Sequence, residues 1–147
     1  MTDQLARLDI QRQSRLGFVE AIWGEHKTSQ QIANILKSLQ IAGQLALVTR
    51  VSQEKANELS AINKDIDFHP QARCITLGSP ADSIPSLGEV IILSGGTSDL
   101  AVAAEAELAL RWHGIKTDLL IDVGVAGLHR LLSQLEKIKK AKVLIAC

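Results

Sequence analysis

The sequence predicts an α/β protein, a small N-terminal α/β segment followed by a parallel sheet with helices on both faces. Three observations predict it. Apolar runs at residues 90–93, within TDLLIDVG (117–124) and within KVLIAC (142–147) read as buried strands. Longer Ala- and Leu-rich stretches of helical spacing separate them. Glycines and hydroxyl residues stand where each run passes into the next periodic stretch.

The elements follow in order. Residues 28–42, TSQQIANILKSLQIA, place Ile32, Ile35, Leu36 and Leu39 on one helical face, between a Thr28/Ser29 start signal and Gly43. LALVTR, residues 45–50, reads as a short buried strand, and residues 52–63 as a helix capped by Ser52. A weaker strand is expected over residues 73–77. GSPADSIPSLG, residues 78–88, concentrates Gly, Ser, Asp and Pro and reads as a linker, which places domains at 1–80 and 81–147. The second part then runs β-α-β-α-β: a strand into Ser94-Gly95-Gly96, an Ala-rich helix from Asp99 to His113, the strand TDLLIDVG, the helix AGLHRLLSQLEKIKKA and the strand KVLIAC. Right-handed crossovers are expected between the parallel strands.

Composition narrows the function classes. The 147 residues carry 16 Lys+Arg and 16 Asp+Glu. Nine basic and eight acidic residues precede Cys74, leaving seven and eight after it, so neither part has the basic excess of a nucleic-acid binder. No apolar run approaches a bilayer span, and the N-terminus lacks a secretory h-region, so no membrane partner and a cytoplasmic location are expected. Cys74 and Cys147 are expected to be free thiols, and no metal-ligand cluster is visible.

In an open parallel sheet, ligands bind beyond the carboxyl ends of the strands. Two loops lie there. Ser94-Gly95-Gly96-Thr97-Ser98-Asp99 combines glycines that permit close backbone approach with hydroxyls and N–H groups suited to a phosphate; Asp99 is suited to ribose hydroxyls. The competing reading is a tight turn capped by Thr97, Ser98 or Asp99. Asp122-Val123-Gly124-Val125-Ala126-Gly127 leads to His129, placed to shuttle a proton, and Arg130, placed to clamp a phosphate or carboxylate. Leu128, Leu131, Leu132, Leu135 and Ile138 form the expected buried stripe, and Asp122 ends a buried strand as a cap or a site residue. In the first part, Lys27 and the Thr49-Arg50 strand end have anion-friendly placement. His69 is expected in a turn, and Trp23 as a packing anchor.

The order DIQRQSRLGFVEAIWGEHKTSQQI, LALVTR, SGGTSDLAVAAEAE, DVGVAGLHRLL resembles the LarB family, whose carboxylase domain is similar to aminoimidazole ribonucleotide carboxylase (PurE). The resemblance runs over nearly the whole chain and implies a three-layer αβα, flavodoxin-like second domain, here incomplete. Two departures stand out. Val19 occupies the place of a Pro in the family's Gly-Phe-Pro-Glu motif, which loosens the turn. Family members also continue past the strand at 142–147, through an AGMEGALPS-type loop and further strands, to a late cysteine that the resemblance assigns as nucleophile. Cys147 precedes that loop and does not inherit the role. The sequence therefore reads as a fragment or a truncated gene product.

The resemblance implies carboxylation of nicotinic acid adenine dinucleotide by CO2 or bicarbonate, with hydrolysis of the phosphoanhydride releasing AMP, a step of nickel-pincer cofactor biosynthesis. A pyridinium is too electron-poor to attack CO2, so the implied route has a thiolate add to the ring and make the neighbouring carbon enamine-like; that carbon bonds to CO2, a base removes the C5 proton, and the thiolate leaves as the ring rearomatises. His129 and Asp122 are the catalytic candidates, and Ser94, Gly96, Thr97, Ser98, Asp99 and Arg130 the substrate-binding ones. The chain itself is expected to hold no cofactor, with Mg2+ entering only alongside the dinucleotide. A homo-oligomer is expected, through the small-residue face Ala101, Ala104 and Ala109. Two alternatives stay open: a PurE-like mutase of purine biosynthesis using His129, and a non-catalytic nucleotide-binding circadian regulator.

Overall fold

The computed structural model describes residues 8–80 and 89–147. The expected linker at 78–88 therefore lies largely outside the described residues. The chain divides into two compact units, Met1–Ser79 and Pro80–Cys147.

In the first unit, helix α1 (Arg12–Leu16) precedes strand β1 (Ala21–Trp23), helix α2 (Ser29–Ile41), strand β2 (Ala46–Thr49), helix α3 (Gln53–Ile62) and the strands β3 (Ile66–His69) and β4 (Cys74–Leu77). The sheet order is β1-β2-β4-β3; β1 and β2 are parallel, and β4 runs antiparallel to both its neighbours. Helix α2 starts where expected because Thr28 accepts the N–H of Gln31 while the Gln31 side chain accepts the N–H of Thr28, a reciprocal cap. Its stripe of Ile32, Ile35, Leu36 and Leu39 is buried with Val48, Leu59, Ile75 and Leu77 in one core. Ser52 caps α3. Val19 is buried just ahead of β1.

Two expectations fail here. His69 closes strand β3 opposite Cys74 instead of standing in a turn, and its Nε2 lies 2.9 Å from the hydroxyl of buried Thr76. Trp23 is 55% exposed, so it anchors no core; its indole N–H donates to Glu25.

In the second unit, strand β5 (Val90–Leu93), helix α4 (Leu100–Trp112), strand β6 (Thr117–Leu120), the short helices α5 (Leu128–Leu132) and α6 (Leu135–Ile138) and strand β7 (Val143–Ala146) form a parallel sheet of order β6-β5-β7. This α/β arrangement with β5 central is the flavodoxin-like strand order, in which the chain reverses its direction of growth beside the first strand. Buried Ala103 and Ala104 seat α4 against β5 and β6. Of the alanines expected on an oligomer face, Ala104 is thereby turned into its own unit, while Ala101 and Ala109 are half-buried.

The single helix expected at 126–141 is two short ones, because the Ser133–Gln134 step interrupts it. Its leucine stripe is not buried either. Leu128, Leu132 and Leu135 are exposed, and Leu131 and Ile138 are half-buried. Among the described residues strand β7 pairs only with β5, and its Val143 and Leu144 are exposed. Cys74 and Cys147 are not joined in a disulfide, and the Cys74 thiol donates to Ala72 O; no helix among the described residues is long and apolar enough to cross a membrane.

Candidate functional site

Parallel strands bring their carboxyl ends to one edge of the sheet, so the loops after β5 and β6 and the residue after β7 become neighbours. Backbone hydrogen bonds lock them together. Ser94 N–H donates to Leu120 O, Val123 N–H to Ser94 O at 3.1 Å, and Gly95 N–H to Cys147 O at 3.1 Å. The two loops pass so closely that a Cβ on Gly124 would lie 2.4 Å from the carbonyl oxygen of Gly95. Only glycine fits that crossing.

Within the first loop, Ser94 is fully buried and its hydroxyl donates to Gly96 O at 2.9 Å. It shapes the turn from below. The Asp99 carboxylate accepts the N–H of Gly96 at 2.9 Å, and the Ser98 hydroxyl reaches the other carboxylate oxygen at 3.4 Å. The expected supply of phosphate-facing N–H groups is thus reduced at Gly96, because Asp99 already closes the turn. Residues Thr97–Asp99 form one 3-10 turn that opens α4. Thr97 and Ser98 are exposed on it, and the first N–H groups of such a turn have no acceptor within the helix.

In the second loop, Asp122 has a φ of 59°. Its carboxylate pairs with the Arg130 guanidinium, and the two side chains are 51% and 42% exposed. This corrects the expectation of a carboxylate at the end of a buried strand: β6 ends at Leu120, and Asp122 is half in solvent. It caps neither of the helical turns that follow. The guanidinium lies over Gly127, where a Cβ would sit 2.3 Å from Arg130 Nη2, so the glycine leaves room for the arginine to fold back. His129 is exposed beside it.

The structure therefore gathers Ser94, Gly96, Thr97, Ser98 and Asp99 in one turn and joins Asp122 to Arg130 in a second, with the two turns in backbone contact. Main-chain lengths and apolar runs in the sequence could not reveal that Asp99 is occupied or that Asp122 and Arg130 are a pair. The spacing of eight residues across an intervening turn carries no periodic signal. The sequence places Gly124 and Gly127 in this loop, but their tasks, clearing the Gly95 backbone and the Arg130 guanidinium, appear only in the folded chain. Among the described residues no group of three or more His, Cys, Asp and Glu side chains is placed to hold a metal ion.

A parallel sheet growing outward on both sides of its first strand, with two interlocked turns at its carboxyl edge, defines an α/β protein of the open, doubly wound class. Residues 2–79 match the family model described as LarB/PurE-like N-terminal domain. The chain belongs to the LarB/PurE-like family, a family related to nucleotide carboxylases. It is also similar to an uncharacterized protein of Methanocaldococcus jannaschii, 30% identical over 140 residues that cover 92% of this chain and 55% of that protein. The chain spans about half the length of this curated relative.

Proposed function

We propose that the second unit supplies the nucleotide crevice of a LarB-type enzyme, which carboxylates nicotinic acid adenine dinucleotide with CO2 or bicarbonate and hydrolyses its phosphoanhydride to release AMP. The observation that carries this reading is the interlocking of the two carboxyl-edge turns through Gly95 and Gly124, which brings both sets of polar groups to one edge. Thr97 and Ser98 meet a phosphate with exposed hydroxyls, and Arg130 adds a fixed charge that matches phosphate or carboxylate oxygens. Ser94, Gly96 and Asp99 hold the first turn in shape, and Asp122 orients Arg130. His129, exposed one residue before Arg130, is the proton carrier at its imidazole. The thiolate that activates the ring is assigned to no residue described here, so the complete reaction is proposed for a chain of the relative's length.

Mg2+ is expected only as the companion of the dinucleotide, and no step is routed through it. Self-association is part of the proposal. The exposed Leu128, Leu132, Val143 and Leu144 of the second unit support it in place of the alanine face. The cell interior is the proposed location, given the nucleotide substrate.

Calorimetric titration with nicotinic acid adenine dinucleotide tests the crevice: saturable binding is expected, weakened by Thr97→Val with Ser98→Ala. Absence of binding would remove the crevice from the reading. For the reaction, a chain of the relative's length incubated with the dinucleotide and labelled bicarbonate should yield labelled pyridinium product and AMP. Turnover of aminoimidazole ribonucleotide instead would transfer the assignment to the mutase.

A further inference from the structure

The first unit has a carboxyl edge of its own, formed by the parallel pair β1–β2 together with the turn between β3 and β4. Three loops meet there. Gly24 N–H donates to Thr49 O at 2.8 Å, Val51 N–H donates to Arg73 O at 2.7 Å, and Lys55 Nζ donates to the carbonyls of Gly24 and Glu25 at 3.1 and 2.7 Å. These bonds draw together the loops that carry Lys27, Arg50 and Arg73 and the first turn that carries Lys55; Glu25 and Glu54 stand on the same loops and first helical turn. Glu25 is further engaged by the Trp23 indole N–H at 3.2 Å. The chain as a whole is neutral, so the gathering of four basic residues on these three loops and the first turn of α3 is set by the fold.

Arg50 and Arg73 stand at φ values of 58° and 52°, a region that a bulky side chain seldom occupies. Both are exposed, and Lys27 is half-buried. At the end of β1, Trp23 presents an indole that is 55% exposed, set edge to face with His26 at 4.9 Å. Large aromatic side chains are ordinarily highly buried; this exposed one ends the strand whose register partner, Thr49, directly precedes Arg50, which suits a planar, anionic partner. The ends of α2 and α3 are closed by Thr28 and Ser52, so the recognition falls to side chains.

We propose that this edge is a second binding site, for a phosphorylated compound with a flat unsaturated ring of nucleoside monophosphate size. Arg50, Arg73 and Lys27 take the phosphate, and the Trp23 face takes the ring. The site shares no residue with the crevice of the second unit and stands independently of the function proposed for it.

The test uses the whole chain and the indole N–H signals of Trp23 and Trp112, told apart in a nitrogen-15 NMR spectrum through Trp112→Phe. Millimolar AMP should shift the Trp23 signal saturably, and ribose 5-phosphate should shift it several-fold less, having no ring to stack. Arg50→Asn with Arg73→Asn keeps residues that tolerate the same backbone and should weaken AMP about tenfold, as should high salt. Retained dispersion of the spectrum shows that the variant is folded. A Trp23 signal that AMP leaves in place, or moves equally in the Asn pair, overturns the site. Equal shifts from AMP and ribose 5-phosphate overturn the role of the indole.

Discussion

Gly124 crosses Gly95 with no room for a side chain: a Cβ on Gly124 would stand 2.4 Å from the carbonyl oxygen of Gly95. The obstacle is backbone, so it cannot swing aside as a flexible side chain would. Gly124→Ala is therefore expected to push the two turns apart and cost about 1–3 kcal/mol, the range for overpacking. Urea unfolding followed at Trp112 measures it. Unchanged stability together with unchanged nucleotide affinity would show that the contact is not needed.

Asp99 separates a structural role from a binding one. Asp99→Ala removes the acceptor of the Gly96 N–H, with an expected loss of about 1 kcal/mol by analogy with helix caps. Asp99→Asn keeps an acceptor oxygen and should retain most of both stability and nucleotide affinity. If the Asn variant melted normally yet bound nucleotide poorly, the carboxylate would be contacting ligand directly.

The Asp122–Arg130 pair is half-exposed, and such pairs contribute about 0–1 kcal/mol. Asp122→Asn preserves a residue that tolerates positive φ, so its stability should barely change. Affinity for an anionic nucleotide should fall in Asp122→Asn and in Arg130→Gln, with little further loss when they are combined, because the aspartate acts by orienting the arginine. Fully additive losses in calorimetry would mean that the two side chains work separately.

In the first unit, the stabilising contribution of α2 is open to direct measurement. Thr28→Ala opens the reciprocal cap and should cost about 1 kcal/mol. Leu36→Ala leaves a cavity at a fully buried position and should cost about 2–5 kcal/mol. Thermal unfolding that ranked the two in the reverse order would contradict the packing described for that helix.

The central strands β2, β4 and β5 were legible because burial on both faces demands an apolar run. β1 and β3 were not: each is an edge strand, three and four residues long and partly exposed, so AIW and IDFH lack that run. His69 was misplaced for the same reason. At the site, the glycines and hydroxyls of SGGTSD announced a turn, since backbone conformation and capping are local properties. Which partner each group finds is not local. Asp99 meets Gly96 within its own turn, but the joining of Gly95 to Gly124 and Cys147 requires three strands to align first.

The order of chemical types along the chain by itself determined the α/β class, the principal helices and the two glycine turns, because periodicity and capping act over a few residues. Only the tertiary structure decided that β5 is central, that the leucines after Gly127 remain exposed, and that Asp122 is held by Arg130. Those outcomes depend on which surfaces are brought together, and that is set by strand pairing between residues distant in sequence.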